Sequence, residues 1–134
     1  MSITVRQHDA REEFRWDLFP VPSSVGLGRD LAEVHLNKWG LAAMADDVTL
    51  IVSELLTNAI AAGHGMVTMR LLIDPEALTI EVTDSSPSRP RRKRATANDI
   101  GGRGLQIIEF LAESWGDRPS PAGGKVVWAR CPLP

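Results

Sequence analysis

The segment from residue 51 to residue 62, IVSELLTNAIAA, constrains the fold most strongly, because two polar side chains interrupt an otherwise apolar helical pattern. One stripe of this helix, taken at about 100° per residue, is made of Val48, Ile51, Val52, Leu55 and Ala59. Glu54 and Asn58 lie one turn apart at the edge of that stripe. Removing an amide from water without a partner costs roughly 2–7 kcal/mol, and an ionised carboxylate costs far more. The helix therefore either satisfies both groups internally or uses them to hold a ligand.

Glu54 and Asn58 differ in the chemistry that they could perform. The carboxylate of Glu54 could orient or deprotonate a hydroxyl group or a water molecule. The amide oxygen of Asn58 could ligate a hard cation such as Mg²⁺, which prefers oxygen donors. The alternative is a solvent-exposed pair bonded to its neighbours. The spacing alone favours that alternative, because it is common by chance.

Composition and charge indicate one soluble domain. The chain has 134 residues, of which 43% are hydrophobic and 24% are charged, and its formal net charge is −2. These values are typical of a globular protein and argue against wholesale attraction to nucleic acid or membrane. The single cysteine, Cys131, excludes an internal disulfide and cannot alone build a metal site. We see no signal peptide and no membrane span, so we expect a cytoplasmic protein without membrane contact.

Hydrophobic periodicity divides the chain into strands and helices. It predicts a strand over 12–20, helices over about 25–39 and 45–62, a hairpin of strands over 66–73 and 78–83, a helix over about 103–115 and a last strand over 125–130. This order predicts an α+β fold, a two-layer α/β sandwich in which helices cover one face of a mixed, mainly antiparallel sheet.

The segment from about residue 85 to residue 102 has no periodic pattern of apolar residues. A connection of this length is long for the inside of a domain. Such segments are usually functional lids or disordered. Five of the six residues over 89–94 are basic, and a run of that charge predicts a mobile loop. Binding of nucleic acid through this run is a weak alternative, because no aromatic residues are interleaved to stack on bases. A solvated lid whose cations help to hold a triphosphate is favoured.

Asp84 follows the predicted strand over 78–83 and precedes the sequence SSP. A carboxylate at the end of a strand can accept a hydrogen bond from an amino group in a pocket. The alternative is an Asx turn ahead of Pro87, and taken alone that alternative is favoured.

A glycine-rich segment, GGRGL over 101–105, stands where the third helix begins. Glycines let the backbone approach an anion closely, and the helix N-terminus behind them offers free N–H groups. The alternative is a flexible start of a helix. No strand leads directly into this segment and its spacing differs from the dinucleotide-binding fingerprint, and no P-loop pattern occurs in the chain.

In this order the three motifs resemble the Bergerat ATP-binding fold, the superfamily of gyrase, histidine kinase catalytic domains and the heat-shock chaperone ATPase domain. More narrowly, VSELLTNAI, VTDSSP, GGRGLQIIEFLAESWG and the ending KVVWA look like the small bacterial anti-sigma-factor serine kinases and their actinobacterial ATP-binding relatives. The resemblance extends from about residue 14 to residue 130. It implies a single histidine kinase-like ATP-binding domain over 1–134 with a mobile ATP lid over about 85–102.

The resemblance also implies a role for each motif. Glu54 would be the catalytic base or water-orienting carboxylate, Asn58 the Mg²⁺ ligand, and Asp84 the acceptor of the adenine amino group. Gly101, Gly102 and Gly104 would let the lid and the helix N-terminus wrap the phosphates, Leu105 would line the pocket, and Arg103 would lie close enough to touch a phosphate. ATP and Mg²⁺ are thus the implied cofactors.

The implied function is that of a regulatory protein that acts on protein partners. It would transfer the γ-phosphoryl group of ATP to a serine or threonine of an anti-anti-sigma partner of the STAS type, and relatives often form homodimers. Two departures from the family pattern support a second hypothesis. The helix ends in AIAA without the polar residue that many relatives have, and Lys125 and Val126 stand where many relatives place a threonine. The second hypothesis is a nucleotide-gated module that sequesters a sigma factor or another regulator without kinase activity.

Overall fold

A five-stranded antiparallel sheet forms one layer of the protein, and helices cover one of its faces. The computed structural model describes residues 12–63, 65–85 and 104–134. The strands are β1 (Glu12–Leu18), β2 (Val67–Ile73), β3 (Ala77–Asp84), β4 (Ser114–Pro119) and β5 (Lys125–Pro132). The helices are α1 (Ser23–Lys38), α2 (Ala45–Ala61) and α3 (Gly104–Leu111), and a short 3-10 helix, Ala42–Met44, precedes α2. This architecture confirms the predicted α+β sandwich.

The strands lie in the order β1-β2-β3-β5-β4, and each neighbouring pair is antiparallel. β2 and β3 form the predicted hairpin. In its turn, the Asp74 carboxylate accepts hydrogen bonds from the backbone N–H groups of Glu76 and Ala77, at 2.8 and 2.9 Å. β5 then inserts between β3 and β4, so the centre of the sheet is built from residues that are distant in sequence.

The core lies between α1, α2 and the covered face of the sheet. Alternate residues of β2 are buried, as a strand with one packed face requires. On α2 the predicted apolar stripe is buried, and Leu56 extends it. Its fully buried leucine and isoleucine side chains each contribute about 1.5–3 kcal/mol of hydrophobic stabilisation. α2 is therefore held against the sheet along one side, with its other side turned outward.

The uncovered face of the sheet carries an ion-pair network centred on Glu81, which is 7% exposed. Its carboxylate accepts hydrogen bonds from Arg70 and Arg118, each at 2.9 Å. Arg70 also donates to Glu13, and this hydrogen bond lowers the pKa of Glu13 below its usual value although burial opposes the shift. The network joins four of the five strands on the face away from the helices.

The prediction from the sequence lacked β4 and made the helix before it too long. α3 ends at Leu111 instead of continuing to Trp115, and Ser114–Pro119 pairs with β5 at the edge of the sheet. The sequence SWGDRP shows no alternation, because an edge strand can be held by backbone pairing and tolerates glycine and proline. Gly116 is needed there, since a Cβ atom at this position would lie 2.9 Å from the Trp128 ring.

The other predicted elements agree with the structure to within a few residues. The predicted lid, about 85–102, and the basic run, 89–94, lie outside the described residues apart from Ser85. Among the helices that the structure describes, none is long and apolar enough to cross a membrane.

Candidate active site

Glu54 and Asn58 lie at the boundary between the buried and the outward side of α2. Both side chains are half-buried, next to the buried Ile51 and Leu55. Within the described ranges, neither side chain makes a hydrogen bond or an ion pair. A pair satisfied by its neighbours is thus not observed in that part of the chain. Among the described residues, the polar atoms of both side chains therefore remain without a protein partner.

The chain topology brings the end of α2 to the end of β3. Asn58 lies in the last turn of α2, and β2 begins a few residues later. Because β2 and β3 are antiparallel, Thr68 near the start of β2 pairs with Thr83 near the end of β3. The intervening loop also approaches β3, since a Cβ atom placed on Gly65 would lie 3.8 Å from the Ser85 hydroxyl oxygen. The polar end of α2 and the carboxyl end of β3 therefore share one end of the sheet.

Asp84 is the last residue of β3 and is 2% exposed. Side chains alternate along a strand, so it lies on the same face as Ile80 and Val82, which belong to the core. Its carboxylate forms an ion pair with Lys125, with 3.2 Å between Oδ2 and Nζ. A buried carboxylate at this place has the polar character that recognition of an amino group requires.

The turn before β5 presses against this end of β3. Gly124 has a φ of 87°, and a Cβ atom there would collide with the carbonyl oxygen of Asp84. The turn is closed by hydrogen bonds between Ser120 and its neighbours, from Ser120 N–H to the Gly124 carbonyl and from Gly123 N–H to the Ser120 carbonyl, both 2.9 Å. The start of β5 is thereby fixed beside Asp84.

The predicted phosphate-binding segment is described only in part. Gly104 and Leu105 are the first residues of α3, whereas Gly101, Gly102 and Arg103 lie outside the described residues. α3 ends shortly before Ser114, which pairs with Arg130 at the end of the sheet opposite Asp84. Its free N–H groups are at its other end, next to the glycines. This helix N-terminus has the donors that an anion needs.

Comparison with known proteins gives one decisive match. A protein-family model described as the histidine kinase-like ATPase domain matches residues 21–131. The chain belongs to this family. No curated protein matches the chain. The matched range includes every candidate site residue, and membership of the family indicates that this histidine kinase-like ATPase domain binds ATP.

The residues of this ATPase domain suit Mg²⁺ bound together with a nucleotide. Mg²⁺ usually takes one or two protein oxygens, substrate phosphates and several waters. In the described part of the chain, no three His, Cys, Asp or Glu side chains cluster as metal ligands. Asn58 offers a half-buried amide oxygen at the rim of the site. The donor set thus fits a cation held mainly by phosphate oxygens and only partly by the protein.

Sequence reasoning missed the part played by Lys125 in this ATPase domain. The residue was noticed only as a departure from the family pattern, yet it forms the ion pair with Asp84. The signal that could reveal it is the register of β3 with β5, in which Asp84 pairs with Lys125. That register depends on pairing between distant segments and cannot be read from either strand alone.

Proposed function

We propose that this ATPase domain binds Mg²⁺-ATP and transfers the γ-phosphoryl group to a serine or threonine of a regulatory partner protein. The partner class is the STAS-type anti-anti-sigma factor, and the protein would act as an anti-sigma factor. The proposal is supported by the half-buried pair Glu54 and Asn58, which has no hydrogen-bond or ion-pair partner within residues 12–63, 65–85 and 104–134. The pair lies toward the end of the sheet that holds buried Asp84.

In this proposal each group has one task. Asp84 would accept a hydrogen bond from the adenine amino group, and Asn58 would be the protein ligand that holds Mg²⁺. Glu54 accepts the proton of the partner's hydroxyl group while the oxygen of that hydroxyl group bonds to the γ-phosphorus. The bond from that phosphorus to the β–γ bridging oxygen breaks, and ADP leaves. Phosphoryl transfer of this kind depends mainly on positioning and charge stabilisation.

The phosphates are assigned to the segment that begins α3. Gly101, Gly102 and Gly104 would let the backbone approach them, Arg103 would contact a phosphate, and Leu105 would line the pocket. The helix N-terminus behind these residues favours negative charge. Bound Mg²⁺ would supply further stabilisation of the charge on the phosphate oxygens.

Asn58→Ala tests the metal-binding role. Without the amide oxygen, we expect Mg²⁺-dependent affinity for ATP to fall by about 100-fold, as for loss of a residue that supports a metal. Titration calorimetry with Mg²⁺-ATP measures the change, and circular dichroism checks the fold. Asn37→Ala is the control, because Asn37 is an exposed asparagine on α1. Equal affinity of Asn58→Ala and wild type would contradict the assignment.

Glu54→Ala tests the catalytic role. We expect ATP binding to persist while transfer of labelled phosphate to a STAS-domain partner encoded beside the gene slows by about 10²–10⁴-fold, the usual contribution of a general base. Glu33→Ala, on the exposed side of α1, provides the matched control. Undiminished phosphorylation by Glu54→Ala would remove this residue from catalysis.

A second candidate is a nucleotide-gated module that binds a sigma factor or another regulator without transferring phosphate. Two departures from the family pattern favour it: Lys125 and Val126 stand where many relatives have a threonine, and the helix that carries Asn58 ends in AIAA without a polar residue. The same labelled-ATP experiment separates the two functions. Tight binding of ATP by the wild type without phosphate on the partner would support the module over the kinase.

A further inference from the structure

Lys125 is placed beside Asp84 by the backbone. The two residues are paired in the ladder of β3 and β5, so their side chains point to the same face of the sheet. Nζ of Lys125 lies 3.2 Å from Oδ2 of Asp84. The lysine side chain is 26% exposed and the aspartate side chain 2%. The ammonium group therefore reaches from the surface to an enclosed carboxylate.

The position of this lysine is fixed from both sides. Lys125 also pairs with Pro119 of β4, which holds the other edge of the start of β5. On the side of β3, Gly124 lets the backbone approach Asp84 so closely that no side chain fits between them. The constrained backbone fixes where the lysine side chain starts, and its Nζ lies within reach of the acceptor.

We propose that Lys125 is a second base-reading residue of the nucleotide site, which donates a hydrogen bond to N1 of adenine while Asp84 accepts one from the 6-amino group. The inference rests on the proposed ATP-binding function. An ammonium group has three donors, so Lys125 can hold the carboxylate and the base together. The pair thus presents an acceptor and a donor side by side.

This arrangement matches the pairing edge of adenine and mismatches that of guanine. Adenine has an amino donor at position 6 and a neighbouring acceptor at N1. Guanine reverses both, with an oxygen acceptor at position 6 and an N–H donor at N1. In the same pose, guanine would set its oxygen against Asp84 and its N–H against Lys125. The lysine therefore adds selection for adenine to the selection that Asp84 provides.

A purely structural ion pair makes a different prediction. If Lys125 only joins β3 to β5, removing N1 from the base leaves affinity unchanged. If Lys125 competes with the base for Asp84, removing the lysine tightens ATP binding. The proposed contact instead couples Lys125 to one atom of the base, and a chemical double-mutant cycle can isolate that coupling.

The experiment measures Mg²⁺-dependent affinity for ATP and for 1-deaza-ATP, in which a C–H group replaces N1. Wild type and Lys125→Met are compared by competition against a fluorescent ATP analogue. We expect wild type to bind 1-deaza-ATP about 10- to 100-fold more weakly than ATP, the range for a charged hydrogen bond. Lys125→Met should bind ATP more weakly by a similar factor and should no longer distinguish the two nucleotides.

Two controls sharpen the result. 7-deaza-ATP alters another edge of the base, so the ratio of its affinity to that of ATP should be the same in wild type and Lys125→Met. Lys38→Met changes an exposed lysine on α1 and should bind both nucleotides as wild type does. Equal affinity of wild type for ATP and 1-deaza-ATP would overturn the inference while leaving the proposed function intact, even if Lys125→Met fails to fold. Tighter ATP binding by Lys125→Met would also overturn it. Failure of wild type to bind ATP at all would overturn both.

Discussion

At the scale of single residues, the candidate site depends on one close backbone contact. Gly124 combines a φ of 87° with a position where a Cβ atom would collide with the Asp84 carbonyl oxygen. A backbone atom cannot move aside as the end of a side chain can. The contact therefore both shapes the turn and sets Lys125 next to Asp84.

Gly124→Ala should destabilise the protein for two reasons, the positive φ and the collision. The first costs of order 1–3 kcal/mol for a residue with a Cβ atom. The neighbouring Gly123 isolates that cost, because its φ is 99° but no atom lies within 4 Å of the added Cβ. We expect Gly124→Ala to lose at least about 1 kcal/mol more than Gly123→Ala in urea unfolding. Equal losses would show that the close contact carries no energy.

The same scale shows what a sequence can reveal about a site. The closeness of Glu54 and Asn58 is predictable because helical spacing is fixed, so two residues four apart must share a side of α2. Asp84 was found as a residue near a strand end, but its burial depends on how β5 and the turn pack over it. The ion pair of Lys125 with Asp84 could not be predicted, because the neighbour of Lys125 across the sheet is decided by long-range register.

At the scale of elements, periodic packing made α2, β2 and β3 predictable. Each buries one side against the core, and burial imposes a regular apolar repeat on the sequence. β4 has no such repeat because it lies at the edge and is held through backbone pairing to β5. The end of α3 was misplaced for the same reason, since the residues after Leu111 had no signal of their own to stop the helix.

The packing of α1 on α2 gives a prediction from two glycines of one helix. Gly28 faces α2, where an added Cβ atom would collide with the Leu56 side chain, and Leu56 is fully buried. Gly26 has open space around it. Gly26→Ala should stabilise the protein by about 0.5–1 kcal/mol through helix propensity. Gly28→Ala gains the same propensity but overpacks the interface, at a cost of about 1–3 kcal/mol.

Urea or thermal unfolding of the two variants measures the difference directly. We expect Gly28→Ala to be the less stable of the pair by about 1–3 kcal/mol. Gly26→Ala serves as its control, since both substitutions change the same helix by the same methyl group. Identical stabilities would mean that Leu56 moves aside without loss and that the two helices are not closely packed at this point.

At the scale of the whole molecule, the two faces of the sheet have separate tasks. The uncovered face carries the ion pairs around Glu81, which link strands to one another. The covered face carries the core, and Asp84 lies on this face at the end of β3, beyond the core residues Ile80 and Val82. Family membership indicates nucleotide binding. The topology explains how three segments distant in sequence come to one end of the sheet: the end of α2, the end of β3 and the start of β5.

A hydrogen-exchange experiment with Mg²⁺-ATP tests whether these segments form one site. Short labelling times report local opening rather than global unfolding. We expect ATP to slow exchange in the last turns of α2, at the end of β3 and at the start of β5. Exchange in β1 and α1 should stay unchanged, because neither contributes a proposed ligand-binding residue. At an ATP concentration near the wild-type Kd, Asn58→Ala should remove the whole footprint together, because an affinity about 100-fold lower leaves a shared pocket almost empty. Protection confined to α1 and β1, or protection of β3 and β5 that survives in Asn58→Ala, would show that the adenine and metal ends do not belong to one pocket.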